Sequence, residues 1–220
     1  MAQTEKLTDY VNPFVGTDGY GNVYPGAQIP FGGIQISPDT DSRFYDAASG
    51  YKYNHLTLMG FSLTHLSGTG IPDLGDFLFI PGTGEMKLEP GTHEDPDQGY
   101  RSRYSHDKEW ASPNYYAVEL ADYGVKAEMT SGVRSGMFRF TYPESDNAFI
   151  MIDMNHTLWQ SCEWSNLRMI NDSTITGYKL VKGWGPERHV YFTATFSKKL
   201  TGLRFVQDKK PVIYNTSRFR

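Results

Sequence analysis

The chain has 220 residues, 15% of them aromatic, one cysteine and a formal net charge of −4. That charge leaves no basic stripe to neutralise phosphates, so nucleic acid is not an expected partner, and the lone Cys162 excludes an internal disulfide and any multi-cysteine metal site. No apolar run reaches the ~18 residues of a membrane helix, and residues 1–10 lack the apolar core of a signal peptide, so membrane insertion is not expected and the segment reads as an N-terminal tail.

The first hundred residues are punctuated by glycine and proline. Residues 11–40, VNPFVGTDGYGNVYPGAQIPFGGIQISPDT, hold six glycines and four prolines. Glycine supplies tight turns at positive φ, and proline stiffens their flanks. GTDGYG is not a dinucleotide cradle: that fingerprint must leave a strand and open a helix, whereas this stretch runs into Tyr24-Pro25-Gly26. Brief strands are expected at 33–37, 60–66 and 76–81, between loops long enough to form a functional surface. In THLSGTGIPDLGD, His65, Asp73 and Asp76 fall close together. They could be metal ligands or an acid–base pair, although the spacing matches no compact metal motif. The favoured reading is that the aspartates accept backbone N–H bonds in a glycine-rich corner, with His65 a satisfied, partly buried neighbour.

Beyond about residue 100 the pattern becomes regular. Tyr116, Val118 and Leu120 share one face, as do Val125, Ala127 and Met129 after the Asp122-Tyr123-Gly124 turn, which predicts a hairpin. Phe138, Phe140 and Tyr142 alternate with polar residues, and 148–153 (AFIMID) is apolar on both faces, as in a strand covered on both sides. Strands follow at 174–182, 189–196 and 200–206, with no capped helix-period segment. The expected class is all-β: a large antiparallel sandwich of at least about ten strands with long Gly/Pro-rich loops. Tyr45, Tyr51, Tyr53, Trp110, Trp159, Trp164 and Trp184 supply rings that could stack on the apolar face of a sugar, or equally fill core and sheet surface. No nucleophile elbow, catalytic carboxylate pair or Cys–His arrangement is legible.

Four long segments of the chain then matter together: residues 11–40, SGYKYNHLTLMGFSLTHLSGTGIPDLGDFLFIPG, YRSRYSHDKEWASPNYYAVELADYGVKAEMTSGVRSGMFRFTYP and GWGPERHVYFTATFSK. In order and extent they resemble the N-terminal domain of glycoside hydrolase family 92, the calcium-dependent exo-acting α-mannosidases. The resemblance implies a supersandwich-like β-domain over residues 11–220, lacking its last strands, which in the whole enzyme packs on a C-terminal (α/α)6 barrel. In the family the barrel supplies the general acid, the general base and the calcium ligands, and the reaction inverts the anomeric centre. The fragment alone is therefore expected to be inactive, with no catalytic residue and no metal ligand of its own, calcium being a cofactor of the full-length enzyme. Substrate contacts are expected from Asp18, Gly19, Tyr20, Gly21 and Asn22, in a loop similar to the one closing one side of the −1 mannose pocket, from Tyr45, and from Asp73 and Asp76. Family members commonly carry histidine where this chain has Tyr20, Asn22 and Leu63, and tryptophan where it has Tyr45. The expected partners are α-mannoside glycans, with α-1,2 linkages of N-glycans or mannans foremost, and the barrel of the same polypeptide. A strand-edge dimer of the fragment is a further expectation. The implied location is extracytoplasmic, a bacterial periplasm or cell surface, after removal of a signal peptide. A free-standing carbohydrate-binding or interaction module is the competing reading, since fold does not decide function.

Overall fold

Turn residues set where each strand stops. The computed structural model describes residues 6–42, 45–207, 210–212 and 217–219. Residues 1–5 of the expected tail and two residues just before Tyr45 lie outside that set. The strands are β1 (Ser37–Asp39), β2 (Thr57–Leu58), β3 (Gly60–Ser62), β4 (Leu78–Thr83), β5 (Ser102–Arg103), β6 (Glu109–Ser112), β7 (Tyr115–Leu120) and β8 (Val125–Ser131). They continue as β9 (Gly136–Thr141), β10 (Ala148–Asp153), β11 (Ser161–Asn171), β12 (Thr174–Lys182), β13 (Arg188–Thr195), β14 (Phe205–Gln207), β15 (Lys210–Val212) and β16 (Ser217–Phe219). The helical segments among the described residues are short 3-10 turns such as Tyr45–Ala47. The chain is all-β and antiparallel, as its alternation predicts.

Three four-stranded sheets carry the architecture, in the orders β1-β3-β4-β10, β6-β7-β8-β9 and β13-β12-β11-β16. The predicted hairpin is β7–β8, with Tyr116 opposite Met129 and Leu120 opposite Val125. Tyr116, Val118, Leu120, Val125, Ala127 and Met129 are all buried, so the period-two pattern places one whole face in the core. That core also takes Phe61, Ile36 and Tyr51. A second core packs Phe77, Phe79 and Met154 against Leu167, Ile175, Phe192 and Ala194. Phenylalanine rings connect the two: Phe61 lies 6.5 Å from Phe138, Phe138 5.1 Å from Phe79, Phe79 6.0 Å from Phe192, and Phe192 4.5 Å from Phe77. Each separation falls at about the 4.5–7 Å at which aromatic pairs attract beyond their buried area.

Four expectations need correction. The 148–153 run is β10, an edge strand and only half-buried, not one covered on both sides. The strand covered on both faces is its neighbour β4, with Leu78 and Ile80 in one core and Phe79 in another. Residues 200–204 are not a strand, because Gly202 turns the backbone at φ +65° and β14 begins at Phe205. The 60–66 run keeps only β3, followed by an isolated bridge between His65 and Leu74. The 33–37 run contributes only Ser37 to β1, with an isolated bridge between Ile36 and Ala27 before it.

Candidate functional site

Loops from several elements converge on buried charge. On β12, Ile175, Gly177, Lys179 and Val181 form the buried face, which carries a lysine into the core. Lys179 Nζ lies 3.1 Å from Asp76 Oδ1 and donates to the His156 carbonyl at 2.5 Å. The other Asp76 oxygen accepts from Arg188 at the start of β13 and from Thr64 Oγ1 at 2.7 Å. Burial alone would push the Asp76 carboxyl up, but Lys179 and Arg188 hold it below the usual carboxylate range. Asp73 accepts from the backbone N–H of Leu74 at 2.6 Å and of Trp184 at 3.0 Å. Arg188 lies 3.8 Å from it and so bridges the two aspartates. Asp73 thus takes backbone N–H groups, as the glycine-rich corner allows, whereas Asp76 is the centre of an ion cluster.

His65 belongs to a neighbouring cluster. Asp39, fully buried at the end of β1, accepts from His65 Nε2 through one oxygen and from His156 Nε2 through the other, both at 2.7 Å. Burial opposes ionisation of Asp39, yet the two histidines keep its carboxyl well below the usual range. His65 Nδ1 lies 2.7 Å from the Gln35 carbonyl oxygen. Ser62 Oγ lies 3.0 Å from the same Nε2, so both ring nitrogens of His65 are engaged. Gly50, at φ +85°, presses its backbone against this cluster, where a Cβ would stand 2.2 Å from Asp39 Oδ1.

Around these charges stand the predicted contact residues. In the glycine-rich loop, Asp18 Oδ1 accepts from Gly19 N at 2.8 Å, and a Cβ at Gly21 would lie 2.2 Å from the Gly16 carbonyl oxygen. The glycines let this loop fold upon itself, which leaves the Tyr20 ring 91% exposed. Lys52 Nζ donates to Gly19 O at 2.8 Å, and the Asn22 carbonyl accepts from Gly68 N at 2.7 Å. Lys52 N in turn donates to Thr40 Oγ1, which joins the loop to the segment bearing Tyr45. Tyr45 is 54% exposed and meets Trp159, 51% exposed, edge to face at 4.9 Å and 68°. Trp159 holds φ +66°, and Leu74 and Phe77 nearby in the chain of contacts hold φ 74° and 58°. Bulky residues avoid that region at a cost of about 1–3 kcal/mol each, and such strain gathers at functional sites.

The structure therefore joins Asp73 with Asp76 through Arg188, Tyr45 with Trp159, and residues 18–22 with Lys52 and Gly68. Asp73 and Asp76 are buried beneath the surface, whereas Asp18, Tyr20 and Tyr45 reach it. Sequence reasoning did not single out Asp39, His156, Lys179 or Arg188. Lys179 left a signal, a charge on the inward face of an alternating strand, which needs a buried carboxylate partner. Among the described residues, no group of three or more His, Cys, Asp or Glu side chains is arranged to hold a metal ion, and no helix is long and apolar enough to cross a membrane.

An antiparallel multi-sheet sandwich with charged, aromatic loops at its surface is the class of domain the fold defines. The profile of the glycosyl hydrolase family 92 N-terminal domain matches residues 10–218, and the chain belongs to that family. It is similar to the solved family 92 glycosyl hydrolase CcMan5, at 27% identity and a TM-score of 0.80, over 97% of this chain and 29% of that one. Its fold also matches the family 92 inverting mannosidase BT2199 of Bacteroides thetaiotaomicron VPI-5482, at 23% identity and a TM-score of 0.79, over 100% of this chain and 29% of that one. A protein of Arthroderma benhamiae called an uncharacterized secreted glycosidase is 30% identical over 139 residues, 62% of this chain and 17% of its own length. The chain thus spans less than a third of each of these relatives.

Proposed function

We propose that this chain is the substrate-facing N-terminal domain of an exo-α-mannosidase, one wall of a sugar pocket whose reacting groups lie elsewhere in the whole enzyme. The observation that carries this reading is the Tyr45–Trp159 corner, two half-exposed rings on loops braced from below by paired charges. Two faces at a steep angle suit the apolar C–H patches of a pyranose, while Asp18 and the backbone of Gly19 and Gly21 offer polar groups for hydroxyls. Asp73 and Asp76 act in this scheme as the floor that fixes the loops, since Lys179, Arg188 and backbone N–H groups already occupy their oxygens.

The carboxylates of the two buried clusters do not fit calcium, because Asp39 is already paired with His65 and His156, and Asp76 with Lys179 and Arg188. In this proposal calcium, the inverting acid and base, and the barrel that holds them belong to the remainder of the enzyme. Terminal α-1,2-mannosyl linkages of N-glycans or mannans are the proposed substrates, and the setting is extracytoplasmic, in keeping with the secreted description of the Arthroderma relative.

The test is Tyr45→Ala in the full-length enzyme acting on an α-mannoside. Loss of stacking on an exposed ring should raise KM or lower kcat/KM at least about tenfold, with a melting temperature within about 2 °C of the parent. A large fall in melting temperature with unchanged kcat/KM would make Tyr45 a structural ring and end the proposal. The chain by itself should bind mannose no tighter than about 1 mM, or roughly −4 kcal/mol, since half a pocket leaves most of the sugar wet.

A further inference from the structure

The rings of the corner come from separate stretches of chain, so something must set their mutual angle. Tyr45 sits in the excursion between β1 and Tyr51, closed at its base by Thr40 N and Asp41 N donating to the Gly50 carbonyl at 2.6 and 3.2 Å. Trp159 sits in the connection between β10 and β11, where Asp153 Oδ1 accepts from Asn155 N and His156 N. The same connection is tied to the glycine-rich corner by Leu158 N donating to the Leu74 carbonyl at 3.0 Å. Between the two excursions lies one carboxylate. Asp39 opens the first excursion and grips His156, three residues before Trp159, while His65 takes its other oxygen.

We propose that Asp39 is the positioning residue of the sugar corner: through His156 it fixes the loop of Trp159 against the loop of Tyr45, and His65 holds the carboxylate in place. This rests on the mannoside reading for the ligand alone; the geometry of the clamp stands without it. Several charged groups face the cluster. Arg101 donates to the Thr40 carbonyl at 2.6 Å, Lys179 to the His156 carbonyl, and Asp153 caps the His156 turn; the rings of Tyr24 and Tyr100 border Asp39 and His65. His156 is the member that can be altered while leaving the Asp39–His65 pair intact.

The experiment compares His156→Leu with His156→Gln in the full-length protein. Leucine removes the donor to Asp39, whereas glutamine keeps an N–H of similar reach. Two readouts are taken: KM and kcat for an α-1,2-linked mannobiose, and the part of the near-ultraviolet circular dichroism that Trp159→Phe abolishes, which reports the coupled Tyr45–Trp159 rings. His156→Leu should raise KM about 10- to 100-fold, as a misplacement near 1 Å can do, with kcat changed less, and should erase the Trp159 signature. His156→Gln should restore most of both.

Folded His156→Leu protein with the parental signature, or His156→Gln as impaired as His156→Leu, overturns the proposal. Should His156→Leu fail to fold, Asp39→Asn replaces it: its amide can offer an acceptor to one histidine but faces the other with a donor, and a retained Trp159 signature in that variant likewise overturns the clamp. If the parent protein does not turn over mannobiose, the mannoside reading fails, and the circular dichroism alone decides the clamp.

Discussion

Replacing Lys179 by methionine tests whether buried charge braces the site. The lysine side chain is fully buried, with Nζ 3.1 Å from Asp76 Oδ1, 2.5 Å from the His156 carbonyl oxygen and 5.1 Å above the Phe77 ring. Removing one partner of a buried ion pair costs about 3–5 kcal/mol, because the other charge stays buried without full compensation. Arg188 still holds the second Asp76 oxygen, and methionine fills most of the vacated volume, so the lower end, about 3 kcal/mol, applies here. At about 2–4 °C per kcal/mol for a domain of this size, Lys179→Met should melt about 6–12 °C below the parent. Adding Asp76→Asn should cost less in the Lys179→Met background than in the parent, since the pair is already broken there. Thermal unfolding of the single and double variants is the assay. A single variant melting within 1 °C of the parent, or a double variant less stable than the sum of the singles, would refute the reasoning.

Another outcome follows from the same charges. Asp39 and Asp76 have carboxyls held below their usual range, and Arg139 and Tyr115 bring Glu128 down to about 2. A depressed carboxyl stabilises the fold above its unfolded value and loses that contribution as pH falls through the folded one. Urea unfolding should therefore show stability that is level above about pH 5 and falls steeply between about pH 4 and 2, with Asp39→Asn flattening the fall. A level profile down to about pH 2 would contradict it.

The fold was largely legible because much of it obeys one period. In β7, β8, β9, β12 and β13 every second residue turns inward, so apolar spacing alone located strand and face. β11 escaped notice for a definite reason: its register shifts at Cys162/Trp164 and again at Met169/Asn171, and each irregularity resets the alternation that a reader follows. β4 and β10 look alike as apolar runs, and only pairing order shows which is central. The loops yielded to family resemblance more than to periodicity. Asp18, Tyr20 and Tyr45 lie at the surface, which the resemblance implies and periodicity does not, but the Asp39–His65–His156 cluster depends on pairings across 26 and 117 positions, which no local pattern encodes.

The run of phenylalanines through Phe61, Phe138, Phe79, Phe192 and Phe77 bears on how the domain comes apart. Sheets that met only through small side chains could open singly, each with its own modest threshold. Here rings span both boundaries of the β1-β3-β4-β10 sheet, so parting either neighbouring sheet from it strips rings that both share. Slowly exchanging amides in β4, β8 and β12 should then reach solvent together, at the free energy of global opening, while the loop bearing Tyr45 and the turns around Gly68 exchange far sooner. The loop rim would thus flicker on a frame that yields only as a whole.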